Sequence, residues 1–368
     1  MKSTDTEFRI ENFVVPSLLE TRGYHIDEVD VPVKIDQNES PEDFPQEIKD
    51  AIIENLRKRS WNRYPPPFAD SLSEKLGRKL GYDASYVLTA PGSNYLISIL
   101  LDVFARRKVG KNIILRPSFP LFESHCRYSG IPYETWDLDD NFKFDLKKLE
   151  NLPKHSLILF ASPNNPTGSS ISSAELESIL QTNPTSLVIA DEAYFEFSST
   201  PYHPLVARYR NLVIIRTFSK ALGLAGVRIG YILASPDIIT QVRKLRLPFL
   251  LNMFTLEVFD AALTSKKIAD FTEANIARLR SERERLYAEL APVFARKGHR
   301  LYPSDANFLL AKLSSDEACE SFYKGLIKGG VLVRNISRGL RLQGCLRISI
   351  GTAEENDKLR SLVLANLQ

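Results

Sequence analysis

Two cations lie among small and apolar residues in the stretch RTFSKALGLAGVRIGY (216–231). They are Lys220 and, eight residues further on, Arg228. Burying an unpaired cation costs free energy, so a plain core segment would not contain them. A lysine that is partly desolvated and close to other cations has a lowered pKa, and its amine can attack a carbonyl carbon to form a Schiff base. Taken alone, the stretch fits either this covalent chemistry or a surface lysine that begins a turn.

A carboxylate in LVIADEAYFEF (187–197) is the second unusual group. Asp191 follows four apolar residues, and Tyr194 lies three residues later. A carboxylate buried at the end of a strand needs a cation or hydrogen-bond donors beside it. A protonated pyridine-type nitrogen would supply that cation, and an arginine of the core is the alternative.

Two turns carry further polar groups. The turn SPNNPTG (162–168) offers side-chain amides directly after an apolar run, and PGSN (91–94) lies where a predicted strand passes into a helix. The first N–H groups of a helix, together with its dipole, suit a phosphate. Each motif by itself is also typical of an ordinary turn.

These residues all follow short apolar runs that predict strands. The runs at 157–161, 187–190 and 212–215 are continuous rather than alternating, which is typical of parallel strands buried on both faces. With helices between them, they predict an α/β fold in which a mostly parallel sheet lies between helices. Ligands of such sheets bind at the carboxyl ends of the strands, so we expect Asn165, Asp191 and Lys220 to meet there.

The sequence predicts three regions. Residues 1–45 form an N-terminal arm that contributes to the small domain and the active site, and 46–257 form the large domain. After Leu247 the pattern changes to helices over 249–300, followed by strands at 306–313, 331–334 and 345–351, with helices at 315–328 and from 353. This predicts a smaller α+β domain over 258–368.

Composition excludes several classes of protein. The 368 residues carry a net charge of +3 with scattered basic residues, so we expect no nucleic-acid partner. No apolar run approaches the ~18 residues of a membrane span. The polar N-terminus lacks the apolar core of a signal peptide, and three distant cysteines with isolated histidines predict neither a disulfide framework nor a metal site. A cytoplasmic setting is the simplest interpretation.

The set Asn165, Asp191, Tyr194, Lys220 and Arg228, in this order on successive strand ends, resembles the fold type I pyridoxal-phosphate enzymes. The resemblance implies that Lys220 bonds covalently to the cofactor aldehyde and that Asp191 keeps the ring nitrogen protonated. It also implies that Tyr194 and Asn165 hydrogen-bond the phenolic oxygen of the ring.

The resemblance implies the remaining contacts of the cofactor as well. Arg228 and the helix N-terminus would bind its phosphate. An aromatic side chain would stack on its ring. Phe119 would be this aromatic residue. The other residues that would contact the cofactor here are Gly92, Ser93, Asn94, Thr217, Ser219 and Arg228.

Six motifs between residues 37 and 356 narrow the resemblance to the histidinol-phosphate aminotransferase family. They are QNESP (37–41), NRYPPP (62–67), SPNNPTG, DEAYFEF, RTFSKALGLAGVRIGY and GCLRISIGTAEEN (344–356). The resemblance implies a homodimer in which Tyr64 reaches the cofactor phosphate of the partner subunit. It also implies that Arg347 binds a substrate carboxylate and Arg334 a second anion. The implied substrate site comprises Asn38, Tyr64, Asn165, Arg334 and Arg347.

The implied reaction interconverts L-histidinol phosphate and 2-oxoglutarate with 3-(imidazol-4-yl)-2-oxopropyl phosphate and L-glutamate, a step of histidine biosynthesis. The freed Lys220 amine would remove the substrate Cα proton and return it to the cofactor. Two departures bear on this substrate. Glu42 stands where the family has an aromatic residue, and Asn94-Tyr95 stand where it has acids.

Other activities of the same fold remain open. An aromatic amino-acid aminotransferase, an enzyme like threonine-phosphate decarboxylase and a non-catalytic protein that keeps the cofactor fold would share most of these motifs. A nicotinamide-dependent oxidoreductase is disfavoured, because no GxGxxG follows a predicted strand.

Overall fold

The computed structural model describes residues 8–19, 29–107, 109–199 and 201–367. Its strands are β1 (Val33–Lys34), β2 (Val87–Ala90), β3 (Asn112–Arg116), β4 (Glu134–Asp137), β5 (Leu157–Ala161), β6 (Leu187–Asp191), β7 (Leu212–Thr217), β8 (Gly230–Ala234), β9 (Arg300–Tyr302), β10 (Phe308–Lys312), β11 (Val331–Leu332), β12 (Arg334–Asn335) and β13 (Cys345–Ser349).

The α-helices alternate with these strands over most of the chain. They are α1 (Pro16–Leu19), α2 (Gln46–Arg57), α3 (Asp70–Leu80), α4 (Ser93–Phe104), α5 (Leu121–Tyr128), α6 (Ser173–Thr182), α7 (Pro236–Leu245), α8 (Met253–Thr264), α9 (Lys266–Arg296), α10 (Asp316–Lys328) and α11 (Ala353–Asn366). Among the described residues, none of these helices combines the length and the apolar character needed to cross a bilayer.

A seven-stranded sheet in the order β2-β8-β7-β6-β5-β3-β4 positions the candidate site. Strands β4, β3, β5, β6 and β7 run parallel, whereas β8 is antiparallel to β7 and to β2. Helices α4, α5 and α7 bury apolar side chains against one face, and α2, α3, α6 and α8 cover the other. Both faces are therefore dry, which explains why these strands are continuously apolar. The predicted α/β fold is confirmed.

A smaller antiparallel sheet, β12-β13-β10-β9, lies in the C-terminal part. The sequence predicts one strand over 331–334, and this is wrong in detail. Residues Val331–Leu332 pair in parallel with β1, whereas Arg334–Asn335 pair with β13. The strand changes partners at Val333, so its last residue, Arg334, joins the sheet that carries Arg347.

The division into three regions stays a prediction. Residue 258, its predicted boundary, lies inside α8, which packs against α2 and α3. Of the arm over 1–45, residues 1–7 and 20–28 lie outside the described residues. The arm's strand β1 pairs with β11, which ties this segment to the C-terminal part of the chain.

Candidate active site

Asp191 is the last residue of β6 and is only 4% exposed. Its backbone is fixed on both sides, opposite Ala161 of β5 and Ile215 of β7. The carboxylate oxygen Oδ1 accepts a hydrogen bond of 3.0 Å from the backbone N–H of Ala193. Burial raises the pKa of this carboxyl to about 7, because the charged form has lost its water.

Lys220 follows β7 in a tight turn and is half-buried. The turn closes because the backbone N–H of Gly223 donates to the Lys220 carbonyl at 3.1 Å, and Gly223 has a φ of +67°, which glycine tolerates best. The ammonium Nζ donates to the carbonyl of Gln37 at 2.9 Å. Burial, helped by the charges of Arg347 and Arg228, lowers the pKa of Lys220 to about 8.

Asn38 joins the N-terminal arm to this site. Its Nδ2 donates to the hydroxyl of Tyr194 at 3.0 Å, and its Oδ1 accepts from the Ser349 hydroxyl at 2.8 Å. Asn38 is fully buried with a φ of +54°, a conformation that asparagine adopts more readily than most residues. The Tyr194 ring lies edge-on against Phe308, and the Lys220 nitrogen lies 6.0 Å from its centre. Burial raises the pKa of Tyr194.

The two candidate substrate arginines lie next to each other. Arg334 and Arg347 are directly opposite on the antiparallel strands β12 and β13. Arg347 donates from Nη1 to the side-chain oxygen of Asn165 at 2.7 Å and from Nη2 to the backbone carbonyl of Asp36 at 2.6 Å. Arg334 lies 3.8 Å from the Asp36 carboxylate. The bond between Arg347 and Asn165 brings the smaller sheet to the edge of the larger one.

The candidate phosphate site lies where α4 begins. Gly92 caps the helix with a φ of +83°, and Ser93 is the first helical residue. A Cβ atom on Gly92 would lie 2.6 Å from Nη2 of Arg228, and one on Gly230 would lie 2.8 Å from the Ser93 nitrogen. Both glycines are therefore required for the helix N-terminus to approach β8 and the guanidinium this closely.

Hydroxyl groups line the same corner. Nη1 of Arg228 donates to the Ser219 hydroxyl oxygen at 3.1 Å, and the Thr217 hydroxyl donates to the same oxygen at 2.9 Å. The backbone N–H of Ser219 donates in turn to the Thr217 hydroxyl oxygen. The end of β7 thus supplies two hydroxyls beside the arginine.

Three further residues are predicted to contact the cofactor. Phe119 follows β3, is half-buried and packs edge-on against Phe122. Asn94 is exposed in the first turn of α4. Tyr64 is 82% exposed, and its ring stacks on Phe249 with a centre distance of 4.6 Å. Its prediction as a residue of a partner's site is not tested by this single chain.

The residues present fit pyridoxal phosphate. Within the described residues, the buried Asp191 carboxylate accepts a hydrogen bond from the backbone N–H of Ala193, and a protonated ring nitrogen would complete its surroundings. Lys220 has an amine with a lowered pKa, 6.0 Å from the centre of the Tyr194 ring. A Cβ atom on Gly92 would lie 2.6 Å from Nη2 of Arg228, so the backbone donors of the helix N-terminus and a cation converge at this turn.

Sequence reasoning missed one charged pair beside the site. Arg216 and Glu192 directly follow the apolar cores of β7 and β6, and both are 1% exposed. Nη2 of Arg216 lies 2.7 Å from Oε2 of Glu192. Arg216, the core arginine that could have paired with Asp191, therefore pairs with Glu192 instead. The signal was present, because an Asp-Glu pair and an arginine each end an apolar run.

Comparison with known proteins shows the family of the chain. A family model described as aminotransferase class I and II matches residues 31–362. The chain is 36% identical to the histidinol-phosphate aminotransferase of Pyrococcus furiosus, covering 93% of this chain and 94% of that protein. It is 34% identical to the enzyme of the same name from Thermococcus gammatolerans, over 91% and 92% of the two chains.

A solved structure shares the architecture. The histidinol-phosphate aminotransferase from Sinorhizobium meliloti, in complex with pyridoxal-5'-phosphate, superposes with a TM-score of 0.77 at 25% identity, covering 92% of this chain and 91% of that one. These likenesses confirm the resemblance that the sequence motifs indicated. Because the family model and these relatives match nearly the whole chain, the chain belongs to the aminotransferase class I and II family.

Proposed function

We propose that the chain is a pyridoxal-phosphate aminotransferase that interconverts L-histidinol phosphate and 2-oxoglutarate with 3-(imidazol-4-yl)-2-oxopropyl phosphate and L-glutamate, in histidine biosynthesis. The observation that carries the proposal is the convergence of Lys220, Asp191 and Arg228 beside the adjacent arginines Arg334 and Arg347. Relatives that carry this activity in their names support the choice of substrate.

Pyridoxal phosphate, when bound, supplies an electron-withdrawing ring that stabilises negative charge at the substrate Cα. Asp191 would hold the proton on the ring nitrogen, and Asn165 and Tyr194 would orient the opposite side of the ring by hydrogen bonds. Lys220 provides the base. Because its pKa is lowered to about 8, a minority of the Nζ amine is already neutral at pH 7 and can take a proton from Cα.

The two arginines suit the two kinds of substrate that such a site must accept. Both L-glutamate and 2-oxoglutarate carry a carboxylate for Arg347, and histidinol phosphate carries a phosphate for Arg334. Glu42, which the sequence places near an approaching phosphate, lies 3.6 Å from the guanidinium of Arg278 on α9. Its negative charge is therefore partly offset by a neighbouring cation.

The proposed assembly is a homodimer in the cytoplasm. Tyr64, largely exposed in one chain, would complete the phosphate site of the partner subunit. The arm, large domain and small domain predicted over 1–45, 46–257 and 258–368 would then all contribute to each site.

Half-reaction spectra test the proposal. The purified chain, loaded with pyridoxal phosphate, is mixed separately with L-histidinol phosphate, L-glutamate and L-phenylalanine. We expect loss of the visible cofactor band with the first two, and no spectral response from Lys220→Ala. A response to phenylalanine without one to histidinol phosphate would indicate an aromatic aminotransferase. Release of carbon dioxide would indicate a decarboxylase. A chain that takes up no cofactor would have a different function.

A further inference from the structure

The buried ion pair between Glu192 and Arg216 lies directly behind the candidate site. Nε of Arg216 donates to Oε2 of Glu192 at 2.8 Å, and the other carboxylate oxygen accepts from the backbone N–H of Tyr202 at 2.9 Å. The guanidinium also lies over the Phe195 ring, 3.5 Å from its centre. Both charged side chains are thus held from several directions, and neither reaches solvent.

The pair and Asp191 occupy opposite faces of the large sheet. Successive residues of a strand point to opposite faces. Ile189 packs with the helices on one face of the sheet, and Ala190 packs with those on the other. Asp191 is therefore on the face of Ile189, and Glu192 is on the face of Ala190. The ladder continues past β6, because the Glu192 backbone N–H donates to the Ile215 carbonyl at 2.8 Å. Glu192 therefore fixes the very backbone that carries Asp191.

Charge also links the two acids. Like charges in a dry environment disfavour each other's ionised form, so a lone ionised Glu192 would favour protonation of Asp191. Arg216 cannot lose its proton, so its positive charge opposes this effect at any working pH. Among the described residues, five further titratable groups interact with the guanidinium or its partner: Tyr82, Glu196, Tyr202, His203 and Tyr231.

We propose that Glu192 and Arg216 are positioning residues for Asp191: they anchor the end of β6 from the opposite face, and the Arg216 cation offsets the charge of Glu192 so that no unpaired acid opposes ionisation of Asp191. Only the identity of the Asp191 partner, the ring nitrogen of pyridoxal phosphate, rests on the proposed function. The effect on Asp191 itself is a property of the chain and can be measured without cofactor.

Infrared titration of the cofactor-free, full-length chain tests this inference. The protonated carboxyl band of Asp191 is assigned by its absence from Asp191→Asn. Glu192→Gln keeps one acceptor oxygen in place of two and leaves a surplus positive charge on Arg216, so we expect the Asp191 midpoint to fall by about one pH unit. The charge-balanced double variant Glu192→Gln/Arg216→Met should return it close to the wild-type value.

Asp137→Asn provides the matched control. Asp137 also ends a strand and pairs with an arginine, Arg116, but β4 lies at the edge of the sheet, separated from β6 by β3 and β5. It should leave the Asp191 midpoint unchanged. If Glu192→Gln does not fold, Arg216→Met gives the opposite charge change and should raise the midpoint.

An Asp191 midpoint that moves in neither variant would overturn the inference. A shift that persists undiminished in the double variant would do the same, because it would not follow charge. Cofactor uptake by the wild-type chain is measured in parallel. Failure of that uptake would count against the proposed function, whereas the Asp191 titration would still decide the inference.

Discussion

At the scale of single residues, one physical cause acts on both reactive groups of the site. Burial removes water from Lys220 and from Asp191, and each loses the preference for its charged form. The pKa of the amine therefore falls to about 8, while that of the carboxyl rises to about 7. Two groups that would differ by more than six units in water are brought close to neutral pH, where proton transfer is easiest to reverse.

The lowered pKa of Lys220 predicts how the cofactor is captured. Only the neutral amine attacks an aldehyde, so the rate of covalent capture by the cofactor-free chain should rise with pH and level off above about 8. Stopped-flow absorbance with pyridoxal phosphate measures this rate. Lys220→Arg should show no covalent capture. A rate that still increases up to the ordinary lysine range, near 10.5, would contradict the lowered pKa.

At the scale of elements, the phosphate corner depends on how closely α4 approaches β8. Gly92 and Gly230 are the contact points, and neither has room for a Cβ atom against its neighbour. The helix N-terminus can then direct its free N–H groups toward the same space as Arg228. Affinity for the phosphate is thus set by the absence of two side chains as much as by the presence of charge.

Substitution of Gly230 tests this dependence. In Gly230→Ala the new methyl group would collide with the Gly92 and Ser93 backbone, so α4 must shift away from β8. We expect about tenfold or greater loss of pyridoxal-phosphate affinity, equivalent to about 1.4 kcal/mol, and a smaller loss for pyridoxal, which has no phosphate. Fluorescence titration measures both.

Gly226→Ala is the control for that measurement. Gly226 is exposed, and a Cβ atom there would meet no heavy atom within 4 Å. It should bind both compounds as the wild-type chain does. Equal losses of pyridoxal and pyridoxal phosphate in Gly230→Ala would argue against a phosphate site at this corner.

The sequence predicted the strands of the large sheet well, because short, continuous apolar runs are typical of parallel strands that are buried on both faces. It predicted the strand at 331–334 poorly. Pairing with β1 on one side of Val333 and with β13 on the other depends on partners far away in the chain. The partner of Arg216 was missed for the same reason, since side-chain direction at a strand end becomes visible only once the register is known.

At the scale of the whole molecule, the described chain leaves several aromatic and apolar side chains exposed in the segments that carry Tyr64 and its stacking partner Phe249. They are Trp61, Tyr64, Phe68, Leu247, Phe249 and Phe254. A cluster of this kind is typical of a surface covered by another protein. Exposed side chains of this kind support the proposed homodimer, in which Tyr64 would lie at the contact.

Mixed dimers test whether Tyr64 acts across the interface. Lys220→Ala and Tyr64→Ala each remove one component of the site, so each homodimer should have strongly reduced aminotransferase activity. If Tyr64 serves the partner subunit, a hybrid of the two variants contains one site with both residues, and activity should return on mixing after partial unfolding and refolding. If Tyr64 serves its own subunit, no mixture would regain activity.

The hydrogen bonds of Asn38 have a consequence for how the molecule is made. The Asn38 backbone donates to the Ser349 hydroxyl across 311 positions of sequence, and the Asn38 side chain reaches Tyr194. A ribosome delivers the arm first and β13 almost last. The nascent chain therefore carries an unfinished pocket through most of its synthesis, and the aldehyde-bearing cofactor can be held in its final surroundings only after the carboxy-terminal strand has emerged from the exit tunnel.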